Sequence, residues 1–352
     1  MDYHKDIEEL VNILIKEGAS DLHLSSGRPP VIRVSGNLLT MVKKPIITAA
    51  DMKEYLNVFL TPESKVILEK NKDVDFSYSL THARFRGNAY YRQGEMSIAL
   101  RLIPKKIRTL SELNLPPILE SFTRKPQGFF LCVGPIGQGK TTTLATLIEH
   151  INQTRTEHIL TIEDPIEYLF ESKKSMIDQR EVRLDTPAFS QGLVSMFRED
   201  IDVCMVGEMR DNETISTAVT AAETGHLIFS TLHTNNAAQT INRIIDSFPP
   251  NQQDQIRVQL AGSLTGIFSQ RLIPRISGGL IPAYELLINN TAIANLIRER
   301  RVHEIQTVVE TSSQEGMVDM NRSLAELVRA GEISVESAYI NSLNPKTLER
   351  ML

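Results

Sequence analysis

Residues 128–151 read GFFLCVGPIGQGKTTTLATLIEHI, and this stretch decides the fold of the larger part of the chain. The apolar run GFFLCV is followed by the pattern G-x-x-x-x-G-K-[ST] and then by a helical pattern. A glycine-rich loop between a buried strand and a helix directs backbone N–H groups at phosphate oxygens. The sequence therefore predicts a phosphate-binding loop, and a glycine-rich turn without a ligand is the alternative.

The predicted phosphate site consists of this loop and the first residues of the following helix. Lys140 supplies a compact positive charge for the β- and γ-phosphates, and the Thr141 hydroxyl is a candidate ligand for Mg²⁺. The complete set is Gly134, Pro135, Ile136, Gly137, Gln138, Gly139, Lys140, Thr141 and Thr142.

Two further apolar runs end in carboxylates. DVCMVGE (202–208) ends at Glu208, and HILTIE (158–163) ends at Glu163. The carboxyl ends of parallel strands meet at the sheet edge where nucleotides bind. We therefore expect both glutamates near the metal and the attacking water. A glutamate that caps the next helix is the alternative for Glu208, and an ordinary acidic loop is the alternative for Glu163.

Two histidines, His226 and His233, bracket the apolar run LIFSTL. Two histidines alone are too few for a structural metal site. They are candidates for sensing the γ-phosphate or for holding Glu208 and the neighbouring backbone. A core histidine with satisfied hydrogen bonds is the alternative for each.

The amino-terminal part of the chain has a different pattern. Apolar residues at helical spacing between Ile7 and Leu14 stop before Gly18, which predicts an opening amphipathic helix. A helical segment is expected near residues 50–70. The β-rich runs around it are SDLHL (20–24), PVIRVSGNLL (30–39), DFSYSL (75–80), ARFRGNAYY (83–91) and MSIALRLI (96–103). We predict an α+β domain with an antiparallel sheet over residues 1–104.

The remainder of the chain is predicted to be an α/β domain. Residues 105–126 carry several prolines and few strand signals, so we predict that they link two domains. Over residues 127–352, apolar strand candidates alternate with helical patterns, which predicts a mostly parallel sheet covered on both faces. Its strand candidates are GFFLCVG (128–134), HILTIE (158–163), DVCMVGE (202–208) and HLIFSTL (226–232). The tail over residues 290–352 is predicted to be helical.

The composition argues against several classes of protein. Lys and Arg total 38 against 43 for Asp and Glu, a formal net charge of −5, so we expect no nucleic-acid-binding surface. Cys132 and Cys204 lie in apolar runs and are expected to be buried, reduced thiols. No apolar run approaches the ~18 residues of a membrane span, and the amino terminus lacks a signal-peptide pattern. We expect a cytoplasmic protein.

The motifs together resemble those of the secretion-type ATPases, and within them the PilT-type ATPases of type IV pilus retraction and twitching motility. The resemblance covers nearly the whole chain. It is carried by GASDLHLSSGRPPVIRVSGNL (18–38), ARFRGNAY (83–90), GPIGQGKTTTL (134–144), HILTIEDPIEY (158–168), DQREV (178–182), REDIDVCMVGEMRDNETI (198–215), TAAETGHLIFSTLHTNNAAQTINRIID (220–246) and AIANLIRE (292–299). It implies a RecA-like P-loop ATPase domain preceded by a smaller PAS-like domain, ATP and Mg²⁺ as cofactors, and assembly into a homo-hexameric ring.

The resemblance also implies roles for individual residues. Glu208 falls on the catalytic glutamate that activates water, and Glu163 falls on a carboxylate near the metal. Thr141, Glu163 and Glu208 are thus the implied metal-binding set. His226 and His233 fall on the positions of the family's His box, which favours functional roles for both.

Arginines of the first domain gain a role in the same way. Arg86 and Arg101 match positions where the family supplies arginines that contact phosphate, and Arg84 is a weaker candidate. Such arginines neutralise charge in the transition state, and removing one costs on the order of 10³-fold in rate. The resemblance therefore makes the first domain part of the active site.

Two features indicate the retraction branch of this family. The chain lacks the CxxC…CxxC element and the longer amino-terminal region of the pilus-assembly and type II secretion ATPases. Residues 292–299, AIANLIRE, fall on the branch's AIRNLIRE, with Ala294 in the place of the arginine. On spacing alone, Ile293, Leu296 and Ile297 are expected to face inward on a short helix.

We therefore expect a hexameric, Mg²⁺-dependent ATPase that drives pilus retraction, with the proline-bearing connector as its hinge. The implied partners are an inner-membrane platform protein, at the inner face of the cell membrane, and a second retraction ATPase. One alternative is a nucleotide-sensing accessory subunit of another pilus motor. Another is the ATPase of a related secretion or DNA-uptake machine.

Overall fold

The computed structural model describes residues 2–34, 36–81, 83–103 and 106–352. The chain forms two compact units, of which the first comprises Met1–Lys106 with Pro165–Leu169 and the second Ile107–Asp164 with Phe170–Leu352. Residue 35 of the predicted strand run 30–39 lies outside the described residues. So do residues 104 and 105, where the first domain and the linker were predicted to meet.

The first unit contains one antiparallel sheet. Its strands are β1 (Ala19–Ser25), β2 (Val31–Val34), β3 (Asn37–Thr40), β4 (Asp73–Leu80), β5 (Ala83–Arg92) and β6 (Glu95–Ile103). They lie side by side in the order β3-β2-β1-β6-β5-β4, and each neighbouring pair is antiparallel. These strands are the predicted β-rich runs, with the run 30–39 divided in two. The predicted α+β fold of this part is confirmed.

Three helices pack against one face of this sheet. They are α1 (Tyr3–Lys16), α2 (Ala49–Phe59) and α3 (Pro62–Asn71). Asp2 caps α1 by accepting a hydrogen bond from Lys5 N, and Gly18 after its last turn has a positive φ of 63°. Leu10 of α1 is buried in one apolar core with Phe85 of β5. The predicted opening helix is therefore confirmed.

The second unit is built on a seven-stranded sheet. Its strands are β7 (Gly128–Val133), β8 (His158–Glu163), β9 (Met176–Glu181), β10 (Val203–Val206), β11 (Leu227–Leu232), β12 (Leu264–Pro274) and β13 (Leu280–Ile288). The order is β13-β12-β7-β11-β10-β8-β9, and every pair is parallel except β12 with β13. The mostly parallel sheet is confirmed, while β9, β12 and β13 are strands that the sequence did not predict.

Helices cover both faces of this sheet and form the carboxyl-terminal part of the unit. They are α4 (Glu120–Thr123), α5 (Lys140–Thr154), α6 (Phe189–Met196), α7 (Asn212–Glu223), α8 (Ala237–Asp246), α9 (Gln253–Ser263), α10 (Thr291–Arg298), α11 (Ile305–Thr311), α12 (Met320–Arg329), α13 (Val335–Asn341) and α14 (Pro345–Met351), with short 3-10 turns at 117–119, 302–304 and 313–315. Phe130 of β7 packs in one core with Leu144 of α5. Its neighbour Leu131 belongs to the core on the opposite face, with Ala218 of α7. The predicted helical tail is confirmed.

The predicted connection over residues 105–126 is closely packed from residue 107 onward. Residues 107–126 belong to the second unit, and Leu110, Leu115 and Phe122 are buried in its core. Thr146 on α5 donates a hydrogen bond of 2.8 Å to the carbonyl oxygen of Arg108. This part of the connection is a folded piece of the second unit.

Both cysteines are buried in the second unit. Burial raises the pKa of the Cys132 thiol to about 12 and moves the pKa of Cys204 in the same direction. Neither cysteine forms a disulfide. They are inert, reduced thiols, as predicted. Among the described helices, none combines the length and the apolar character needed to cross a bilayer.

Candidate nucleotide site

The phosphate loop joins β7, which is buried throughout, to α5, which begins at Lys140. Gly139 precedes the helix at a φ of 79°, in the left-handed region. Gly134 has a φ of 146°, and a Cβ at this position would lie 2.4 Å from the carbonyl oxygen of Gln270. Both positions therefore require glycine. The strand, loop and helix follow one another as the sequence predicts.

The Lys140 side chain lies within the loop and is only 7% exposed. Its Nζ donates hydrogen bonds of 2.9 Å to the carbonyl oxygens of Gly134 and Pro135. It also lies 3.3 Å from His233 Nδ1. Because a lysine ammonium has no acceptor, this last contact requires an unprotonated Nδ1. A neutral His233 ring in this position carries its hydrogen on Nε2.

The other loop residues differ in their exposure and contacts. Ile136 is 83% exposed at the tip of the loop, beside the exposed Gly137. Gln138 is half-buried, and its Oε1 accepts a hydrogen bond of 2.7 Å from Leu272 N on β12. Thr141 and Thr142 are half-buried in the first turn of α5. The Thr141 hydroxyl therefore lies at a helix N-terminus, next in sequence to the buried lysine.

Glu208 lies at the carboxyl end of β10, as predicted. It accepts a short hydrogen bond from Arg210, and its Oε2 lies 3.5 Å from His233 Nε2. Burial alone would raise the pKa of Glu208, but the hydrogen bond and charge of Arg210 and the proximity of His233 outweigh it. The net pKa lies below the ordinary value for glutamate. Glu208 is therefore a carboxylate at neutral pH.

Glu163 is the last residue of β8 and is only 3% exposed. It accepts hydrogen bonds from Thr161 Oγ1 at 2.7 Å and from Gln179 Nε2 at 3.2 Å. Strands β8 and β10 pair in parallel up to Ile162 and Val206. Glu163 therefore ends its strand at the same sheet edge as Glu208.

Two arginines at this edge were not predicted. Arg183 Nη2 lies 3.2 Å from Asp164 Oδ2, and Arg210 Nη1 lies 4.0 Å from the same oxygen. Arg210 thus contacts both Asp164 and Glu208. The sequence signal for Arg210 is its position two residues after Glu208, within the stretch 198–215 that carries the family resemblance. Both arginines remain more than half exposed and so accessible to an anionic ligand.

The two predicted histidines lie at opposite ends of β11. His233 follows the carboxyl end of the strand and contacts the nucleotide site, whereas His226 precedes its amino end. His226 Nδ1 lies 3.0 Å from the carbonyl oxygen of Ala221, and its ring packs edge-on against Phe197. The strand separates the two histidines by about 20 Å. The structure does not bring His226 together with Glu208, and the functional role that the resemblance implies for His226 stays a prediction.

The predicted arginines lie in the first unit, on the sheet face opposite the helices. Arg86 of β5 and Arg101 of β6 are directly paired across the two strands. Arg101 Nε donates a hydrogen bond of 2.8 Å to Asp21 Oδ1, and Arg86 Nη1 lies 3.7 Å from Glu167 Oε1. Arg84 instead donates to serine hydroxyls on β4. Arg86 and Arg101 thus lie side by side, each next to a carboxylate.

Asp21 fixes the position of Arg101. It is 6% exposed and stands directly opposite Arg101 in the pairing of β1 with β6. Burial alone would raise the pKa of Asp21, but hydrogen bonds from Ser20 and Arg101 bring it below the ordinary value. The aspartate is therefore charged at neutral pH. Its role was not predicted from the sequence.

The donor set of the second unit suits Mg²⁺ bound together with phosphate. Thr141, Glu163 and Glu208 offer only oxygen atoms, which are the ligands that Mg²⁺ prefers. The described residues contain no cluster of three or more His, Cys, Asp or Glu side chains able to hold a metal ion alone. Mg²⁺ commonly binds through one or two protein ligands, water and substrate phosphates. The residues present therefore fit this ion.

A parallel sheet with a phosphate loop and carboxylates at one edge defines the second unit as a P-loop nucleotide-binding domain. Comparison with known proteins defines the family. A family model for type II/IV secretion system proteins matches residues 3–338. The chain belongs to this family, and within it to the PilT-type ATPases, as its motifs predicted.

Individual relatives agree with this assignment. The chain is 43% identical over 334 residues to the type IV pilus retraction ATPase PilT of Pseudomonas aeruginosa, covering 95% of this chain and 97% of that protein. It is 43% identical to a twitching motility protein of Neisseria gonorrhoeae, covering 91% of this chain and 86% of the relative. A crystal structure of the pilus retraction motor PilT with bound ADP superposes with a TM-score of 0.91 at 45% identity, covering 97% and 98% of the two chains.

Proposed function

We propose that this protein is an ATP-hydrolysing motor that powers type IV pilus retraction. The observation that carries the proposal is the position of His233, with Nδ1 3.3 Å from Lys140 Nζ and Nε2 3.5 Å from Glu208 Oε2. This imidazole links the lysine of the phosphate loop to the carboxylate best placed to activate water. The names of the relatives, a retraction ATPase and a twitching motility protein, support the cellular role.

Phosphate binding is assigned to the loop and the start of α5. The backbone N–H groups of residues 136–141 would donate to the phosphates, and the helix N-terminus adds a favourable dipole. Lys140 exchanges the carbonyl oxygens of Gly134 and Pro135 for phosphate oxygens. The phosphate is the stronger partner because both it and the lysine are charged.

Glu208 is assigned as the general base for the attacking water. It is ionised at neutral pH, as a base must be, and His233 Nε2 lies 3.5 Å from its second oxygen. Glu163 accepts hydrogen bonds from Thr161 and Gln179 and lies at the same sheet edge as Glu208. Thr141, Glu163 and Glu208 are the proposed Mg²⁺ set. Mg²⁺, when bound, neutralises charge on the β- and γ-phosphates.

The assembly is proposed by analogy with the family. Arg86 and Arg101 would contact phosphate in a homo-hexameric ring and offset the negative charge of the transition state. The ring would act on an inner-membrane platform protein at the inner face of the cell membrane, and a second retraction ATPase is a further candidate partner. The domains 1–104 and 127–352 would close on nucleotide and reopen on product release.

Turnover of the purified protein tests the enzymatic proposal. Lys140→Ala should abolish nucleotide binding, whereas Glu208→Gln should keep binding and lose hydrolysis by on the order of 10²- to 10⁴-fold. Glu213→Gln, the same change at an exposed glutamate of α7, is the matched control and should hydrolyse at the wild-type rate. Equal rates in the wild type and both site variants would refute the proposal. A wild type that binds but never hydrolyses ATP would indicate a nucleotide-sensing accessory subunit.

Pili counted in cells test the direction of the motor. Cells without the protein should carry surplus pili that fail to retract. Loss of pili would indicate an assembly motor. Unchanged pili together with a defect in secretion or DNA uptake would indicate one of the related machines.

A further inference from the structure

Gln270, in the middle of β12, has a buried side chain that contacts the phosphate loop. It is 3% exposed. Its Nε2 donates a hydrogen bond of 2.8 Å to the carbonyl oxygen of Gln138 in the loop. Its Oε1 accepts a hydrogen bond of 2.7 Å from Thr143 Oγ1 on α5. One side-chain amide therefore ties the loop to the first turn of the following helix.

The backbone of β12 adds to this attachment. Leu272 N donates a hydrogen bond of 2.7 Å to Gln138 Oε1, so Gln138 is held at its carbonyl and at its side chain. Gly134 lies so close to the carbonyl oxygen of Gln270 that a Cβ there would lie at 2.4 Å. The loop and the strand therefore fit tightly at both ends of the loop.

The residues on either side of Gln270 hold a second loop. Ser269 Oγ donates a hydrogen bond of 2.9 Å to the carbonyl oxygen of Asn235, and Arg271 Nη2 donates one of 3.1 Å to Asn235 Oδ1. Successive side chains of a strand point to opposite faces. Asn235 follows His233 by two residues. One strand thus holds the phosphate loop on one face and the loop carrying His233 on the other.

We propose that Gln270 is a positioning residue for ATP binding and that β12 sets the spacing between Lys140 and His233. The inference rests on the proposed function, because it assigns Gln270 to the same nucleotide site. Gln270 acts on the loop through its hydrogen bond to the Gln138 carbonyl oxygen. It fixes the Gln138 carbonyl, so that the N–H groups of the loop keep the orientation that phosphate requires.

Gln270→Met tests this role, since methionine has a similar length and no hydrogen-bonding amide. The variant leaves the Gln138 carbonyl and the Thr143 hydroxyl without their partner. We expect its Kd for a fluorescent ADP analogue and its KM for ATP to rise about 10-fold, with a smaller change in kcat. Gln259→Met, the same substitution at a half-buried residue of α9, should leave Kd and KM unchanged.

A second variant separates positioning from a general loss of packing. Thr143→Val removes the partner of Gln270 Oε1. When both partners of a buried hydrogen bond are removed, the loss is smaller than the two single losses combined. The double variant should therefore bind ADP better than the product of the single effects predicts. Thermal unfolding of all variants reports the folded fraction.

Two results would overturn the inference. One is a Gln270→Met protein with wild-type Kd and KM. The other is a Gln270→Met protein whose activity falls only in proportion to its folded fraction, with KM unchanged. A wild-type protein that binds no ADP would refute the proposed function itself, and the inference with it.

Discussion

His233 Nε2 lies 3.5 Å from Glu208 Oε2, across the edge of the sheet where β10 and β11 end. The same ring places Nδ1 3.3 Å from the buried Nζ of Lys140, which fixes the tautomer with hydrogen on Nε2. The imidazole thus lies between the lysine of the phosphate loop and the proposed base. We therefore expect a shift of Lys140 to change the position of His233 and, through this one side chain, its distance from Glu208.

Removing this ring should slow hydrolysis more than it weakens binding. We expect His233→Ala to lower kcat by about 10- to 100-fold, because a hydrogen bond to a charged group is lost at the base. The chain supplies a matched control at the other end of the same strand, since His226→Ala removes the same side chain away from the site. Steady-state kinetics of both variants would contradict the assignment if their kcat values fell equally.

Arg210 should control the pH at which Glu208 becomes protonated. Burial raises the pKa of Glu208, while the hydrogen bond and charge of Arg210 and the proximity of His233 bring it below its ordinary value. In Arg210→Gln the effect of burial remains and the main opposing effect is lost, so this pKa rises. The acid limb of kcat/KM, which reports the free enzyme, should move to higher pH. Arg243→Gln on the exposed face of α8 should leave the limb in place. A limb unchanged in Arg210→Gln would exclude Glu208 as its source.

The sequence predicted the parts of the fold that rest on local pattern. The apolar run before the phosphate loop became β7 because its side chains are buried on both faces. β12 was missed because glutamine and arginine interrupt its apolar run. Gln270 and Arg271 bind loops more than 30 positions away in sequence, so no local pattern reveals them. The direction of β11 explains why His233 lies next to Glu208 and His226 does not. His233 follows the carboxyl end of this parallel strand, which is the end at the candidate site, and His226 precedes the other end.

Arg86 and Arg101 are predicted to act in catalysis and to contribute little to stability. Arg101 is 72% exposed, and when it is removed the buried Asp21 keeps the hydrogen bond from Ser20 and the nearby Arg33, so we expect a loss of stability of about 1 kcal/mol. Arg86→Ala and Arg101→Ala should each lower turnover by on the order of 10³-fold while unfolding near the wild-type temperature. Arg33→Ala, on the other side of Asp21, is the matched control. Wild-type turnover in both Arg86→Ala and Arg101→Ala would show that these arginines do not act in the active site.

Glu285 should make the stability of the second unit depend on pH. It is 1% exposed on β13, and burial raises its pKa to about 7 although Ala237 N donates a hydrogen bond to it. Between the ordinary value of 4.5 and this value, the folded protein binds more protons than the unfolded chain. Stability therefore falls as pH rises through this window.

Glu285→Gln removes this titration. The variant should gain stability relative to the wild type between pH 5 and pH 8, by at most about 3 kcal/mol. Urea unfolding at the two pH values measures the gain. Glu336→Gln, the same change at an exposed residue of α13, should show a constant difference from the wild type. An equally constant difference in Glu285→Gln would show that this carboxyl does not titrate in the window.

Ala294 occupies the place of the arginine in the retraction branch's AIRNLIRE, and the structure predicts the effect of restoring it. Ala294 is 8% exposed on α10, in the core with Ile293, Leu296 and Ile297, which face inward as the sequence predicted. An arginine here must extend its guanidinium out of a packed core, so Ala294→Arg should destabilise the protein by about 1–3 kcal/mol. Asn295→Arg places the same side chain on the exposed side of the helix and should be neutral. Thermal unfolding measures both. Unchanged stability in Ala294→Arg would show that the helix accommodates the arginine, and any gain in pilus retraction could then be assigned to a docking contact.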